Sequence, residues 1–100
     1  MKSLAQARVF FPHPLGIVIG KGVSIGNGCR IYQNVTIGLK NETDTQYPKI
    51  GNNVTIYANS IIIGDIVIGD NTIIGASTVV TKSIPPNSIV AGNPAKIINK

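Results

Sequence analysis

Aliphatic residues recur every six positions along nearly the whole chain. The series consists of Ile19, Ile25, Ile31, Ile37, Ile50, Ile56, Ile62, Ile68, Ile74 and Val80, and His13 stands one step before Ile19. A six-residue period is typical of a stacked solenoid, because each unit buries its aliphatic side chain only between further turns. A helical period of 3.6 residues would not keep these positions in step. The pattern therefore predicts an all-β repeat fold.

A second series of smaller residues follows the first at an interval of four positions. It contains Ile17, Val23, Cys29, Val35, Val54, Ser60, Ile66, Thr72, Thr78 and Ile84. Gly and Asn cluster between the two series, where they tolerate turn conformations. Each hexad is thus a short strand with a corner. Three hexads, or 18 residues, form one coil of a triangular parallel β-helix. The count of hexads predicts just under four coils.

Composition favours one β-helix domain over residues 1–100, with a short lead-in at 1–12 and a capping segment at 84–100. The 43% of hydrophobic residues are spread at intervals, with no run long enough for a membrane span. Nine Lys and Arg residues give a net charge of +5, but they are scattered without interleaved aromatics, so nucleic acid is not expected as a partner. A single cysteine excludes a disulfide within the chain. We expect a soluble cytoplasmic protein.

The repeat loses its phase once. Ile37 and Ile50 are 13 residues apart, so a polar segment at about 39–49 must be expelled from the stack as a loop. Such a loop is either a tolerated surface excursion or part of a binding face, and loops on repeat scaffolds often carry function. The otherwise strict pattern favours a functional loop.

Four segments together resemble the hexapeptide-repeat acyltransferases, and most of all the serine acetyltransferase group and its sugar O-acetyltransferase relatives. They run from His13 to Gly20, from Gln33 to Gly38, from Tyr47 to Ile50 and from Ile84 to Lys96. The resemblance implies a left-handed β-helix, a homotrimer, and acetyl transfer from acetyl-CoA to a hydroxyl group in grooves between subunits. An alcohol needs a base that works near neutral pH, and histidine is the natural choice.

His13 is the only histidine and matches the position of the family's general base. It falls in the inward phase of the repeat, but Pro12 and Pro14 indicate an irregular first coil that turns the imidazole outward. Asn34 and Tyr47 are candidate hydrogen-bonding partners of the acceptor, although Asn34 also suits an ordinary corner.

The resemblance also places the acetyl donor. Ala58 and Ala76 match positions where the family's backbone meets the pantetheine arm, and Gly38 borders the same groove. Lys82 and Lys96 are candidates for the CoA phosphates, although lysines near a terminus are often simply solvated. No metal is expected.

Two departures from the serine acetyltransferases bear on the acceptor. Tyr47 stands where they carry a second active-site histidine, and only about a dozen residues precede the repeat, where they carry a helical domain and the carboxylate that orients the base. On these grounds the sequence favours a sugar or polysaccharide hydroxyl as acceptor. Serine O-acetylation and a truncated, non-catalytic β-helix module are the alternatives. A zinc enzyme similar to γ-class carbonic anhydrases is excluded, since it needs three histidine ligands at each site.

Overall fold

The computed structural model describes residues 8–98, which form thirteen short β-strands and no helix. Their bounds are β1 Val9–Phe10, β2 Val18–Ile19, β3 Ser24–Ile25, β4 Cys29–Ile31, β5 Thr36–Gly38, β6 Lys49–Ile50, β7 Thr55–Ile56, β8 Ile61–Ile63, β9 Val67–Ile68, β10 Ile73–Ile74, β11 Val79–Val80, β12 Ile89–Ala91 and β13 Lys96–Ile97. Within this described part, no helix is present that is long and apolar enough to cross a membrane.

The strands stack into three sheets that form the sides of a prism. Sheet I has the order β1-β4-β7-β10-β12-β13, sheet II the order β11-β8-β5-β2, and sheet III the order β3-β6-β9. All pairs are parallel except β12 with β13. An isolated bridge from Ile68 to Ile84 adds a fourth level to sheet III. The predicted coils are therefore present, and β1 extends them at the N-terminal end.

The chain turns three corners in each coil. We call them the I/II edge (residues 11–17, 32–35, 57–60 and 75–78), the II/III edge (20–23, 39–48, 64–66 and 81–83) and the III/I edge (26–28, 51–54, 69–72 and 85–88). These edges carry most of the polar groups, because the strands between them alternate between core and exterior.

The core is the predicted column of aliphatic side chains. Ile37 lies opposite Ile62, and Ile56 lies opposite Ile74, so each residue of the six-residue series stacks on its equivalent one coil away. Eight isoleucines of the series are fully buried: Ile25, Ile31, Ile37, Ile50, Ile56, Ile62, Ile68 and Ile74. Burying one such side chain contributes about 1.5–3 kcal/mol. The smaller series is also buried from Val23 to Ile84, including Cys29 and Ser60, whereas Ile17 in the first coil is only partly buried.

Asparagine shapes the corners. Among residues 8–98, six residues other than glycine have positive φ, and five of them are asparagines: Asn34, Asn53, Asn59, Asn71 and Asn87, together with Ser77. Asparagine tolerates this left-handed conformation better than other residues with a Cβ. On the III/I edge the side chains also form a ladder, in which Asn53 donates to Asn71 and Asn71 donates to Asn87. The same residues therefore make the turns and join the coils.

The first coil departs from the repeat at His13. β1 pairs with β4 so that Phe10 lies opposite Arg30, and Phe11 therefore follows in the position opposite Ile31. Phe11 packs against the core, whereas His13 is exposed. The inward series does not extend back to His13, because the coil holds two additional residues here. The outward imidazole indicated by Pro12 and Pro14 is what the structure shows.

The segment predicted to leave the stack does so. Residues 39–48 form a loop between β5 and β6, and Lys49, which the prediction included in the loop, belongs to β6. The loop is exposed from Lys40 to Gln46 and is held by a turn in which the Asn41 amide donates to Asp44 Oδ2 at 3.1 Å. Ile25 and Ile50 remain paired across it, so the insertion leaves the register intact.

At the C-terminal end the chain reverses. β13 runs antiparallel to β12, and the Ala95 amide donates to the Val79 carbonyl at 3.0 Å. The reversed segment thereby covers the last parallel strand of sheet II. Residues 1–7 of the predicted lead-in and residues 99–100 of the predicted cap lie outside the described residues.

Candidate functional site

His13 lies on the I/II edge, in the turn between β1 and β2. Its carbonyl accepts a hydrogen bond from the Leu15 amide at 2.8 Å, which closes a tight turn. Proline on both sides restricts the backbone of this turn. The turn presents the imidazole to the exterior of the prism, where an acceptor and a base can meet.

An aromatic column descends from His13 along the I/II edge. The ring centroids of His13 and Tyr32 are 6.1 Å apart, and those of Tyr32 and Tyr57 are 4.9 Å apart in a stacked arrangement. The parallel register causes this alignment: Ile31 lies opposite Ile56, so the next residues, Tyr32 and Tyr57, are also neighbours. Gly75 occupies the next level. The column therefore ends at Tyr57, since Gly75 has no side chain to continue it.

Asn34 lies one coil below the His13 turn on the same edge. Its amide donates to the Leu15 carbonyl at 2.9 Å, and its side-chain oxygen lies against Gly16. Asn34 has a φ of 58° and is exposed. The structure thus brings this candidate close to the His13 turn, while also giving it the backbone conformation of a corner residue.

Ala58 and Ala76 continue the same edge on the next two levels. The Asn59 amide donates to the Gln33 carbonyl, and the Ser77 amide donates to the Ala58 carbonyl at 2.9 Å. These bonds stack the corners directly above one another. From the His13 turn to Ala76 the edge spans three coil steps, or about 14 Å at the usual strand spacing. The small alanine side chains leave the backbone of this edge accessible.

Tyr47 lies elsewhere, on the II/III edge. Its ring covers the backbone at Gly20 and Gly22, where any side chain would collide with the ring. Tyr47 is partly buried against the core. Gly38 is the last residue of β5, next to this edge, and no atom lies within 4 Å of the position that a Cβ would take there. Within one protomer, the second predicted acceptor residue is therefore separated from His13 by the width of sheet II.

Lys82 and Lys96 meet at the C-terminal end of the II/III edge. Both line a cavity of about 260 Å³, and both are exposed. The other lining residues are Val80, Thr81, Ile84, Pro94 and Ala95. The reversal before β13 brings the two lysines to one cavity, since Ala95, the neighbour of Lys96, bonds to Val79 in the strand that precedes Lys82. Two lysines that line one cavity suit a phosphate-bearing ligand.

The carboxylates of the chain all lie away from His13. The sequence contains four: Glu42 and Asp44 in the loop, Asp65 beside it and Asp70 on the III/I edge. Asp65 lies 4.0 Å from the Lys49 ammonium group, and Asp70 accepts a hydrogen bond from the Asn52 amide. Consequently, no carboxylate among residues 8–98 contacts the imidazole.

Sequence reasoning missed two features of the I/II edge. The first is the aromatic column, since Tyr32 and Tyr57 are 25 residues apart and become neighbours only when the expelled loop is subtracted from the repeat. The second is Gln33, whose buried side-chain oxygen accepts no hydrogen bond from any described residue. The phase of the repeat is the signal that identifies the tyrosine pair.

Cys29 belongs to the core, as predicted. Its thiol is fully buried and donates a hydrogen bond to the Gly51 carbonyl at 3.1 Å. Burial raises the pKa of the thiol above 9.0, against the opposing effect of hydrogen bonds from the backbone of Val54 and Asn53. A neutral, enclosed thiol is a poor nucleophile. Among residues 8–98, no group of three or more His, Cys, Asp or Glu side chains is placed to hold a metal ion.

Comparison with known proteins supports the resemblance. Residues 47–82 match the family model described as bacterial transferase hexapeptide, six repeats. The chain is 42% identical over 94 residues to a serine acetyltransferase of Staphylococcus aureus, across 93% of this chain and 44% of that protein. The chain belongs to the hexapeptide-repeat transferases. It spans less than half the length of the curated relatives that it matches.

Solved structures of serine acetyltransferases superpose closely on this chain. Serine acetyltransferase from Brucella abortus in complex with coenzyme A superposes with a TM-score of 0.88 at 36% identity, over 94% of this chain and 40% of that one. Neisseria gonorrhoeae serine acetyltransferase in complex with serine superposes with a TM-score of 0.85 at 39% identity, over 93% of this chain and 40% of that one. The left-handed parallel β-helix predicted for this hexapeptide-repeat chain is confirmed.

The comparisons correct the predicted acceptor. The sugar or polysaccharide hydroxyl was favoured over serine, whereas the relatives and structural neighbours of this hexapeptide-repeat chain are serine acetyltransferases. The prediction was wrong because it rested on Tyr47 and on the short lead-in. The length of the lead-in has no bearing on which acceptor binds. Tyr47 packs on the backbone of its own chain.

Proposed function

We propose that this chain carries the catalytic β-helix of an acetyl-CoA-dependent serine O-acetyltransferase, with His13 as the general base. The observation that carries the proposal is the 42% identity to serine acetyltransferases across the coils that present His13 outward. The placement of His13, Asn34, Ala58 and Ala76 along one edge supports it, since a base and a binding groove must be adjacent.

The residues present fit a bound acetyl-CoA. On the I/II edge, the corners at Ala58 and Ala76 stack through the hydrogen bond from the Ser77 amide to the Ala58 carbonyl, and Gly75 leaves the adjacent position without a side chain. These features suit an extended arm that lies against the backbone. Lys82 and Lys96 would hold the phosphates as point charges. Acetyl-CoA itself would supply an acetyl group activated as a thioester.

The residues of the chain account for the proton transfers of this reaction. One ring nitrogen of His13 accepts the proton of the serine hydroxyl as the oxygen attacks the acetyl carbonyl carbon. The new C–O bond replaces the C–S bond, and the imidazolium returns the proton to the leaving sulfur. The products are O-acetylserine and free CoA, so no covalent acyl-enzyme and no thiol of the chain is required. A positioned base contributes about 10²- to 10⁴-fold to such a reaction.

The proposal includes a homotrimer. In one protomer, His13 and Asn34 lie on one side of sheet II, and Gly38, Tyr47 and Lys82 lie on the other. A neighbouring copy could bring its II/III edge to the His13 edge and complete the site. The exterior of sheet II carries apolar residues suited to contact, since Val18 is 60% exposed and Ile61 is 37% exposed. Light scattering coupled to size exclusion measures the mass of the assembly.

Release of CoA tests the proposed activity. Purified protein is given acetyl-CoA with L-serine or with simple sugars, and His13→Ala and Lys40→Ala are assayed beside it. We expect release that depends on serine and falls about 10²- to 10⁴-fold in His13→Ala, with Lys40→Ala near the wild type. Lys40 is exposed and is not one of the candidate residues. Binding of CoA without release in the presence of serine would instead favour a non-catalytic module.

A cytoplasmic location remains a prediction from composition. Fractionation of the producing cell, with the protein detected by antibody, tests it directly.

A further inference from the structure

We propose that Tyr32 is a positioning residue for His13, and that Tyr57 supports Tyr32 from below. The inference deepens the proposed function, and the effect on catalysis that we expect from Tyr32 rests on that proposed function. The contact itself is a property of the fold. It assigns a role to an aromatic pair that the family resemblance did not supply.

The His13 and Tyr32 rings lie 6.1 Å apart between centroids with their planes inclined by 37°, within the usual range of interacting aromatic pairs. Aromatic pairs of this kind contribute about 0.5–1.5 kcal/mol beyond burial. An exposed imidazole on a turn otherwise samples several rotamers. A ring at this distance restricts that choice.

Tyr32 is itself held in place. Its amide donates to the Ile56 carbonyl at 3.0 Å, and the Tyr57 amide donates to the Ile74 carbonyl at 2.9 Å. The two tyrosine rings stack at 4.9 Å with 28° between their planes. Their backbones therefore belong to the ladder of sheet I, which makes the tyrosines a rigid support for the more exposed histidine.

No charged side chain among residues 8–98 forms an ion pair with the imidazole. Within the described residues, the four carboxylates lie on the loop, beside it or on the III/I edge, and none contacts the imidazole. Arg30 on the outer face of sheet I lies over the Phe10 ring at 5.5 Å. The ring of Tyr32 is the side-chain contact that the structure gives to the imidazole.

Positioning of a base has a measurable effect on rate. A catalytic group displaced by about 1 Å can lose about 10²-fold in rate. Removal of the Tyr32 ring leaves the His13 imidazole partly oriented by its turn, so we expect the rate to fall by less than that. The ring and not the hydroxyl of Tyr32 makes the contact, so phenylalanine should replace it.

Nuclear magnetic resonance tests the contact without reference to activity. His13 is the only histidine, so its imidazole signals are assigned by labelling histidine alone. We expect the ring signals to move by a few tenths of a part per million in Tyr32→Leu, to stay in Tyr32→Phe, and to move less in Tyr57→Leu. Phe10→Leu is the matched control, an exposed aromatic residue on the same sheet. Unchanged histidine signals in folded Tyr32→Leu would overturn the inference.

Steady-state kinetics tests the consequence. With L-serine and acetyl-CoA we expect kcat of Tyr32→Leu to fall about tenfold with less than a twofold change in KM, and Tyr32→Phe to recover the wild-type value. A changed spectrum with an unchanged kcat would overturn the positioning role. A wild-type protein that releases no CoA would contradict the proposed function, and the spectra would still decide whether Tyr32 holds His13. Circular dichroism and assembly mass identify any variant that fails to fold.

Discussion

At the scale of a single residue, the buried thiol of Cys29 makes stability depend on alkaline pH. Its pKa is raised in the folded state, so between 9.0 and that higher value the unfolded chain loses the thiol proton while the folded chain keeps it. The free energy of unfolding therefore falls as pH rises above 9.0, by up to about 1.4 kcal/mol per pH unit. Below pH 9.0 the Cys29 thiol does not make stability depend on pH.

Urea unfolding of the wild type and Cys29→Ser between pH 7 and 10.5 measures this contribution as the difference between the two slopes. Serine already occupies the equivalent inward slot at Ser60, which makes it the matched replacement. We also expect Ellman's reagent to react only after unfolding. Equal slopes, or rapid labelling of the folded protein, would show that Cys29 is not enclosed.

The residues of the site were predictable to different degrees. The identity of His13 as the candidate base followed from the resemblance, and its outward direction followed from the adjacent prolines. Tyr32 could not be identified as the neighbour of His13. That contact depends on the path of the two additional residues in the first coil and on the side-chain rotamers. Periodicity specifies which face a residue lies on, but it does not specify which exposed side chains touch.

At the scale of an element, the contact of Tyr47 with Gly20 and Gly22 anchors the expelled loop. An alanine at Gly22 would place its Cβ among the ring atoms of Tyr47. We expect Gly22→Ala to lower the free energy of unfolding by about 1–3 kcal/mol, the usual cost of overpacking. Chemical denaturation gives the value.

The chain offers two controls for this prediction. Gly38→Ala should be tolerated, since nothing lies within 4 Å of its Cβ position. In a Tyr47→Ala background, Gly22→Ala should cost less than it does alone, which gives a coupling energy between the two positions. Additive effects would mean that Gly22 is sensitive for a reason other than Tyr47.

The elements themselves followed closely from the sequence. Each residue of the six-residue series from Ile25 to Val80 is buried where the repeat predicts, because a side chain in a stacked coil has no other apolar environment. The loop began as predicted at residue 39. The anchoring of the loop by Tyr47 was not predictable, because the repeat describes the strands and contains no information about the path of an insertion.

At the scale of the whole molecule, charge and chain reversal combine at the cavity of Lys82 and Lys96. The protein has a net charge of +5, yet its lysines are scattered, and this cavity is a place where two of them meet. That meeting depends on the antiparallel β13, which breaks the repeat and was therefore not predictable from it. The two lysines either bind the phosphates of a ligand or are simply solvated at the surface.

Binding of CoA to variants distinguishes these two roles. We expect Lys82→Ala and Lys96→Ala each to raise the Kd for CoA about fivefold at low salt, since an exposed charged contact contributes up to about 1 kcal/mol. The difference from the wild type should shrink at high salt, where the Debye length is only about 3 Å at 1 M. Isothermal titration at two ionic strengths measures both effects. Lys40→Ala has the same change in net charge and serves as control, so an equal loss there would show that the overall charge of the molecule, and not the cavity, attracts the ligand.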